Sequence, residues 1–569
     1  MSEGSCRFRQ SVAIGRIAAY LPLITLAMGL AIQVAYAAYL ADRLWFFGDD
    51  WAFLLRRGVI GEHEFSIWFP HNEHWSTVPV LIFRLMFAIF GLEAYLPYAL
   101  LPISAHVAIW VLVYLLLRRI EVGLWPAVVA TWTGAFLAGG AGAQNVLWDF
   151  QVGFLGSGAF GLLAILLGRQ SGRWRLAGAW SALILSLACS GVGLIFLGWA
   201  CLEVLIRQGV PRTIVVGSVP GLTYAVWFAL IGHEAQHAIK RDITAFPFRM
   251  VEGLDAVWST ALAMPGAGAL VLAVLLAVVF FRPHSAEAFA LAASGMGALA
   301  AAFALFAYTR SGLGEGAGAA TRYLYFGVLF CIPAVALAID LLRRRLLDRP
   351  FALPVATVVM LAMTGALGMA NLNRFSDERV NTIGDLKQRI AATMRLVDEG
   401  APVLWQMPSP DRNPDITVAN LDRAGVRDDL QGVDVSPRDL LDARGQLQVA
   451  VSGSPLADLP PAGAISWSGL DPAGLITDAL DSCQERTVSG EDVYLEFDVP
   501  RRGTSLALTT QDNAEIRTSL RDGQDTSESL DWDVDSGEYV TVETTASGLN
   551  LQVRVPPGQV TVCPRVENR

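Results

Sequence analysis

Long apolar segments alternate with short polar ones along the first two thirds of the chain, a pattern typical of a multi-pass α-helical membrane protein. Crossing the hydrocarbon core takes about 20 mostly apolar residues. The sequence therefore predicts about eleven transmembrane helices, at 12–40, 95–117, 123–140, 151–168, 176–189, 193–206, 213–231, 260–281, 285–307, 322–342 and 350–372.

The first apolar segment has two interpretations. A cleaved signal peptide has a shorter apolar core and a small-residue cleavage site, and Ala37 and Ala38 would permit cleavage. The segment is nevertheless long enough to span the membrane and remain there. Because arginines precede and open it and positive residues stay on the cytoplasmic side, a first transmembrane helix with a cytoplasmic N-terminus is favoured.

Arginine-rich ends of the predicted spans fall on one side of the membrane when the spans alternate. By the positive-inside rule that side is the cytoplasm. The loop at 45–75 and everything after residue 373 then lie outside. The arginines that define the inner side are Arg118, Arg119, Arg169, Arg173, Arg175, Arg207, Arg212, Arg282, Arg343, Arg344, Arg345 and Arg349.

Two segments do not fit simple crossings. The segment 77–92 is apolar but short and contains Arg84, so a helix lying along the outer interface is expected. The pair 176–189 and 193–206 is short for two full crossings. Broken or stunted helices are tolerated where they line a cavity, and tilt in a locally thin bilayer is the alternative.

After the last apolar segment the pattern changes to that of a water-exposed module. Residues 374–400 have helical periodicity and predict a connecting helix, whereas 401–569 contain short runs of alternating polarity. These runs predict a mainly β domain of sandwich-like or jelly-roll-like type. Cys483 and Cys563 are its only cysteines, and an oxidising compartment would favour a disulfide between them. The membrane domain is then 1–373, with its first outer loop at 41–94.

Composition and charge agree with this division and exclude some functions. The chain is 53% hydrophobic and 17% charged, with a net charge of −10. Residues 1–373 hold 24 basic and 19 acidic side chains, whereas 374–569 hold 18 basic and 33 acidic ones. A weakly basic membrane part beside a strongly acidic domain argues against nucleic acid as a partner.

The candidate active site is the loop at 45–75, where carboxylates and imidazoles stand among aromatic residues. Aromatic side chains concentrate where membrane meets water, and acids and bases in such a half-dry setting are candidates for chemistry. Asp49 and Asp50 are predicted catalytic residues, with one of them as a general base. The alternative is that the pair caps a helix beginning at Trp51.

Three residues later in the same loop have metal-ligating chemistry. His71, Glu73 and His74 offer nitrogen and oxygen atoms within a short segment, which would suit a divalent ion beside a phosphate leaving group. The competing interpretation is that they shape the loop by hydrogen bonding or hold an acceptor. No second cluster of ligands completes a metal site unless Asp49 or Asp50 approaches.

Further candidate binding residues stand at the outer ends of later spans. Arg310 and Arg322 bracket a glycine-rich loop, and a guanidinium group suits phosphate, although arginine at the end of a span also snorkels to water. Tyr323 flanks Arg322. In the 141–151 loop, Trp148, Asp149 and Gln151 would suit sugar hydroxyls or would serve as interface anchors.

Taken in order, these motifs resemble the GT-C superfamily, the integral membrane glycosyltransferases that use polyprenyl-phosphate sugars. The segment F-G-D-D-W-A-F at 47–53 resembles the acidic motif of the family's first outer loop. The segment F-P-H-N-E-H-W at 69–75 resembles the later part of that loop, and T-R-Y-L-Y-F at 321–326 resembles the Arg-Tyr site near the lipid phosphate. The resemblance covers about 12–372.

The resemblance implies a glycosyltransferase of a bacterial inner membrane. Its donor would be a polyprenyl-phosphate-linked sugar, its acceptor a cell-envelope glycan or glycolipid, and a divalent metal ion is a possible cofactor. The alternatives are a transporter or flippase of a lipid-linked saccharide and a non-catalytic envelope assembly protein. A transporter would place charged groups near the membrane midplane and often shows internal repeats, and neither feature stands out in the sequence.

Overall fold

The computed structural model divides the chain into two compact units. One consists of Met1–Phe46 with Glu64–Thr382, and the other of Phe47–His63 with Ile383–Arg569. The boundary near residue 382 lies after the predicted one at 373, and part of the first loop belongs to the C-terminal unit. The structure describes residues 3–59, 65–92, 94–235, 242–312, 314, 316–346, 351–383, 386–403, 416–423, 426, 430, 432–455, 465–471, 474–480, 484–488, 493–499, 504–510, 514–534, 538–555 and 558–565.

The first unit is helical throughout its described elements. Its helices are α1 (Glu3–Ala41), α3 (Thr77–Phe90), α4 (Leu96–Arg119), α5 (Leu124–Ala141), α6 (Ala143–Leu147), α7 (Val152–Gly168), α8 (Arg173–Cys189), α9 (Val192–Gln208), α10 (Val210–Leu230), α11 (Phe246–Ala261), α12 (Ala267–Phe281), α13 (Ala286–Thr309), α14 (Thr321–Leu346) and α15 (Ala352–Ile383). Helix α2 (Asp49–Arg56) belongs to the second unit.

Within the described residues, eight helical segments are long and apolar enough to cross a membrane. They are Tyr20–Ala41, Leu96–Arg119, Leu124–Ala141, Asp149–Gly168, Val210–Leu230, Ala286–Thr309, Thr321–Arg345 and Leu353–Asp398. The three other predicted spans coincide with helices of only 17, 17 and 15 residues, namely α8, α9 and α12. The structure thus supports a multi-pass membrane protein, and the count of eleven stays a prediction.

One predicted span is misplaced. The sequence predicted a span over 260–281, whereas α11 fills 246–261 and α12 begins only at Ala267. Gly266 lies between them in the left-handed region, with φ 77°. Apolar residues run through this turn, so hydropathy alone joined two helices that the backbone separates.

Small residues allow the helices of this unit to pack closely. A Cβ atom at Gly134 of α5 would lie 2.3 Å from the ring of Trp110 in α4, and one at Gly161 of α7 would lie 2.3 Å from the ring of Phe196 in α9. In a bilayer, where lipid tails are as apolar as leucine, helix association depends on such close packing. The glycines therefore set the distances between the helices that carry the candidate site.

The predicted interface helix at 77–92 exists as α3, which has 14 residues. Val80, Phe83 and Met86 are buried, whereas Leu81 and Leu85 are exposed. A helix with apolar residues on both faces and too short to span suits the boundary between protein, lipid and water. Its placement in the membrane stays a prediction.

The second unit combines short helices with two antiparallel β-sheets. Its later helices are α16 (Leu386–Asp398), α17 (Val418–Arg423) and α18 (Pro437–Gln448). Its strands are β1 (Val449–Pro455), β2 (Ile465–Asp471), β3 (Gly474–Leu480), β4 (Gln484–Val488), β5 (Val493–Asp498), β6 (Thr504–Thr510), β7 (Ala514–Asp522), β8 (Asp525–Thr526), β9 (Leu530–Val534), β10 (Glu538–Thr544), β11 (Asn550–Val555) and β12 (Gly558–Arg565).

The two sheets share one apolar core. The first has the strand order β1-β10-β6-β12-β4, and the second the order β3-β2-β5-β11-β7-β8, with β9 also paired to β7. Alternate residues such as Leu508 and Val542 in the first sheet and Phe497 and Val553 in the second are buried together. The prediction of a β-rich C-terminal region is confirmed. The predicted Cys483–Cys563 disulfide lies outside the described residues, because position 483 and the side chain at 563 are not described.

Candidate functional site

A tight turn at 71–74 presents the later half of the first loop. The backbone N–H groups of His71 and His74 donate to each other's carbonyl oxygens, at 3.0 and 2.9 Å. Asn72 takes a positive φ of 51°, which asparagine tolerates better than most residues. The turn directs Glu73 and His74 from a short, hydrogen-bonded backbone, so their positions are well defined.

Glu73 pairs with an arginine from a distant part of the chain. The Nη2 atom of Arg310, just after α13, donates to Oε2 of Glu73 at 3.1 Å, and Nε of the same arginine donates to the hydroxyl of Tyr323 at 3.2 Å. The Tyr323 ring stacks on Phe306, with ring centres 4.0 Å apart. The predicted residues Glu73, Arg310 and Tyr323 are therefore in direct contact.

Arg322 joins this group from the first turn of α14. Its guanidinium carbon lies 5.1 Å from the centre of the Tyr323 ring, in a cation–π arrangement. Among the residues that the structure describes, no carboxylate forms an ion pair with Arg322. We call Glu73, His74, Arg310, Arg322 and Tyr323 the arginine cluster.

His74 is an uncharged member of the arginine cluster at neutral pH. Burial, together with the positive charges of Arg310 and Arg322, lowers the pKa of His74 from 6.5 to about 4. A Cβ atom at Gly191 would lie 2.6 Å from the Nδ1 atom of His74, so the turn between α8 and α9 packs directly on the imidazole. The turn of the short helix pair therefore packs against the site, and the cavity-lining interpretation of the pair stays a prediction.

The polar segment between α5 and α7 holds the start of α14. The Nδ2 atom of Asn145 donates to the carbonyl oxygen of Arg322 at 2.7 Å, and the hydroxyl of Thr321 donates to Oε1 of Gln144 at 3.1 Å. Both amides lie in α6 and are buried. The sequence indicated the polar groups of this segment, Gln144 and Asn145 included, but did not predict that these amides hold the Arg322 carbonyl and the Thr321 hydroxyl.

Trp148, Asp149 and Gln151 are all buried rather than displayed on a surface. The hydroxyl of Tyr95 donates to Oδ1 of Asp149 at 3.2 Å, and the backbone N–H of Phe150 donates to the same oxygen at 2.9 Å. The Phe150 ring meets the His71 ring edge-on, with centres 5.3 Å apart. The structure therefore brings this segment beside the turn at 71–74, and a sugar-binding role for it stays a prediction.

Asp49 and Asp50 belong to the second unit and open α2. The residue that precedes the helix is Gly48, not an aspartate, and no side chain caps the helix. Oδ2 of Asp50 accepts a hydrogen bond from the backbone N–H of Phe47 at 2.9 Å, and Asp50 is fully buried, whereas Asp49 is partly exposed. Asp50 therefore pairs locally, and a catalytic role for either aspartate stays a prediction.

The structure does not gather His71, Glu73 and His74 around one point. No group of three or more His, Cys, Asp or Glu side chains suited to a metal ion occurs within the described residues. The carboxylate of Glu73 is instead engaged by Arg310. The alternative interpretation, in which these residues shape the loop, agrees with the mutual backbone hydrogen bonds of the turn, and a metal cofactor stays a prediction.

A second charged group that the sequence did not reveal lies at the other end of α13. Arg169 after α7, Glu203 and Arg207 in α9, and Glu287 in the first turn of α13 form a connected set of ion pairs, which we call the four-charge cluster. Glu203 has 1% of its side chain exposed. Apart from Glu203 and Arg207, which are four positions apart in α9, these residues are distant in sequence, and only the acidic Glu203 inside an apolar helix hinted at partners.

Comparisons with known proteins add no relative to this picture: no family description, no curated protein and no solved structure matches the chain.

Proposed function

We propose that the protein is a membrane glycosyltransferase of the GT-C type, which transfers a sugar from a polyprenyl-phosphate donor to a cell-envelope glycan or glycolipid. The observation that carries the proposal is the geometry of Arg322. Its guanidinium group is held on the Tyr323 ring at the end of an apolar helix and forms no ion pair with a carboxylate among the described residues. A lipid phosphate is the anion expected at the end of such a helix.

Arginine suits this role for physical reasons. Its charge is permanent, and its planar fork of donors matches two phosphate oxygens at once. Arg310 lies nearby with Glu73 as a counter-charge, which holds the side chain in place when no anion is bound. Neutral His74 adds no charge, so the cluster attracts an anion through its arginines.

The proposed reaction breaks the bond between the anomeric carbon and the phosphate oxygen, and the phosphate leaves with the electron pair. The acceptor hydroxyl forms the new bond to the anomeric carbon and gives its proton to a general base. Asp49 or Asp50 supplies that base in the proposal. Positive charge beside the departing phosphate lowers the barrier electrostatically.

The proposal includes an orientation of the protein in the membrane and a location for the second unit. The arginine cluster faces the outer leaflet of a bacterial inner membrane, the N-terminus is cytoplasmic, and the sandwich-like C-terminal module is extracytoplasmic. Reporter fusions at Arg345 and at Arg569 test this orientation, because they should report opposite sides. Two fusions on the same side would overturn the proposed topology.

A flippase of a lipid-linked saccharide is the second candidate. The observation in its favour is that ionisable groups are buried inside helices, with Glu203 at 1% and His106 at 1% exposure. Charged groups within spans often mark transport pathways. However, Oε1 of Glu203 is paired with both Arg169 and Arg207, and a paired charge of this kind stabilises helix ends rather than moving a substrate.

The test is turnover by purified, folded protein in vesicles that contain a polyprenyl-phosphate sugar and an oligosaccharide acceptor. A glycosyltransferase releases polyprenyl phosphate and forms a new glycosidic bond. A flippase moves the intact donor between leaflets and releases none. Movement without release, under conditions in which the donor binds, would replace the proposed function with transport.

A further inference from the structure

A series of hydrogen bonds links four helices of the first unit and ends at a tyrosine of α14. The hydroxyl of Tyr325 lies 2.9 Å from Nδ1 of His106 in α4, and Nε2 of His106 lies 3.0 Å from Oε1 of Gln33 in α1. Nε2 of Gln33 donates to the carbonyl oxygen of Ala135 in α5 at 3.0 Å. Four helices are thus joined through three side chains, all of them buried.

The direction of every proton in this series follows from its last bond. Because Nε2 of Gln33 faces a carbonyl oxygen, Oε1 of the same amide faces His106 and accepts. Nε2 of the imidazole must then carry the hydrogen, which leaves Nδ1 as an acceptor. The hydroxyl of Tyr325 therefore donates to His106, and this one arrangement satisfies each bond of the series.

Gly139 in α5 and Gly142 directly after that helix pack closely against the hydrogen-bonded side chains. A Cβ atom at Gly139 would lie 2.5 Å from Nε2 of Gln33, and one at Gly142 would lie 2.4 Å from Cβ of Tyr325. A larger residue at either position would displace the side chains that form the hydrogen bonds. Gly142 also directly precedes α6, whose Asn145 binds the carbonyl of Arg322.

Tyr325, where the hydrogen bonds end, lies within about one turn of Arg322 and Tyr323 in α14. Successive residues of a helix are rotated by about 100° and raised by about 1.5 Å. A small slip or rotation of α14 would therefore carry the Arg322 guanidinium away from the Tyr323–Arg310 contact. The hydrogen bond between Tyr325 and His106 opposes such a movement, and so do the hydrogen bonds of the Asn145 and Gln144 amides.

We infer that Gln33, His106 and Tyr325 are positioning residues that set the orientation of Arg322. An ionisable side chain inside a membrane domain generally has a functional reason to be there. Here His106 links Gln33 to Tyr325 through hydrogen bonds whose donors and acceptors can be assigned in only one way. The consequence of this positioning for phosphate binding rests on the proposed function, whereas its consequence for the exposure of Arg322 does not.

The substitution Tyr325→Phe tests the inference, because it removes one hydroxyl and leaves the ring in place. Tyr36→Phe is the matched control, since the hydroxyl of Tyr36 forms a hydrogen bond of 3.3 Å to Asn373 between α1 and α15. The first measurement is the rate at which phenylglyoxal modifies Arg322 in the full-length protein, read by mass spectrometry. We expect Tyr325→Phe to change this rate by about 2- to 30-fold and Tyr36→Phe to leave it unchanged.

The second measurement is the affinity for farnesyl phosphate in a double-mutant cycle. Tyr325→Phe should weaken binding in the wild-type background but have no further effect when Arg322 is alanine, because the two residues then act through one interaction. A general loss of stability would not show this dependence on Arg322.

The outcomes separate the two proposals. An unchanged labelling rate at Arg322 in Tyr325→Phe overturns the positioning role, whatever the affinity. Equal changes in Tyr325→Phe and Tyr36→Phe overturn it as well, since any lost hydrogen bond would then suffice. A changed labelling rate without binding of farnesyl phosphate to the wild-type protein supports positioning and contradicts the proposed phosphate site.

Discussion

Helix α13 carries a charged cluster at each end, and the two clusters differ in how their arginines are used. At the N-terminal end, Arg169 and Arg207 are both paired with the carboxylates of Glu203 and Glu287. At the C-terminal end, Arg310 is paired with Glu73, whereas Arg322 lies on an aromatic ring. The first group is balanced in charge, and the second has two guanidinium groups for one carboxylate.

The difference in charge balance indicates different roles for the two clusters. Burying a charge is costly unless it is paired, and removing one member of a buried pair leaves the other uncompensated. The four-charge cluster therefore fixes the ends of α7, α9 and α13. A partly exposed arginine on a ring face retains its capacity to bind an anion. The comparison thus separates a structural group from a binding group on the same helix.

The largest expected effect concerns chemistry rather than either cluster. Asp49→Asn or Asp50→Asn removes a carboxylate base with little change in size, and losing general-base assistance typically lowers the rate by about 10²–10⁴-fold. We expect the variant at the catalytic position to keep its affinity for farnesyl phosphate, because the arginine cluster is intact. Turnover of a polyprenyl-phosphate sugar is the measurement.

The other aspartate variant serves as the control for this prediction. Loss of a local helix-start interaction costs about 0.5–2 kcal/mol of stability and leaves the chemical step alone. Near wild-type turnover in both variants would show that the aspartate pair is structural, and the catalytic proposal for the first loop would fail.

The next effect tests the balanced end of α13. Glu203→Ala leaves Arg169 and Arg207 without their buried carboxylate, and breaking such a pair costs about 3–5 kcal/mol. We expect a large drop in the melting temperature of the detergent-solubilised protein and an unchanged affinity for farnesyl phosphate in the fraction that remains folded. Glu287→Ala is the comparison variant with a smaller expected loss, because 49% of that side chain is exposed.

A weakened phosphate affinity in Glu203→Ala, at a temperature where the protein is folded, would contradict the division of roles between the two ends.

Part of the fold and of the candidate site was predictable from the sequence. Apolar segments located the helices because their length and composition are local properties, and the motifs at 71–74 and 310–323 were identified from residue chemistry alone. The pairing of Glu73 with Arg310 was not predictable, since 237 positions separate them. The four-charge cluster and the hydrogen bonds among Gln33, His106 and Tyr325 were not predicted from the sequence for the same reason, because each depends on how helices pack.

A smaller effect follows from the counter-charge of Arg310. Glu73→Gln keeps a side chain of nearly the same size but removes the negative charge that competes with an incoming anion. A partly exposed ion pair contributes about 0.2–1 kcal/mol, so we expect farnesyl phosphate to bind about 2- to 5-fold more tightly. Weaker binding would mean that Glu73 supports the site chiefly by fixing the position of Arg310.

An effect of similar size is a dependence of stability on pH. The pKa of His74 is lowered to about 4 in the folded protein, whereas it is 6.5 in the unfolded chain. Between these values the unfolded state binds the proton and the folded state does not, so stability falls as the pH drops from about 6.5 towards 4. Because part of the His74 side chain is exposed to solvent, the loss of stability is smaller than the full pKa shift would give, on the order of 1 kcal/mol.

His74→Asn should abolish this contribution. The melting temperatures of the wild-type protein and the variant, measured from pH 7.5 to pH 4.5, should converge or cross as the pH falls. Parallel curves would show that His74 does not change its protonation on unfolding in this range.

The most direct test of the central claim is the affinity of farnesyl phosphate for the wild-type protein and for Arg322→Ala. A charge-assisted hydrogen bond to phosphate is worth about 1.5–3 kcal/mol, so we predict binding about 10- to 100-fold weaker in the variant. Arg282→Ala, which changes an exposed arginine after α12, is the control and should bind as the wild-type protein does. Equal affinity in Arg322→Ala and the wild-type protein would contradict the assignment of the arginine cluster as the site of a lipid phosphate.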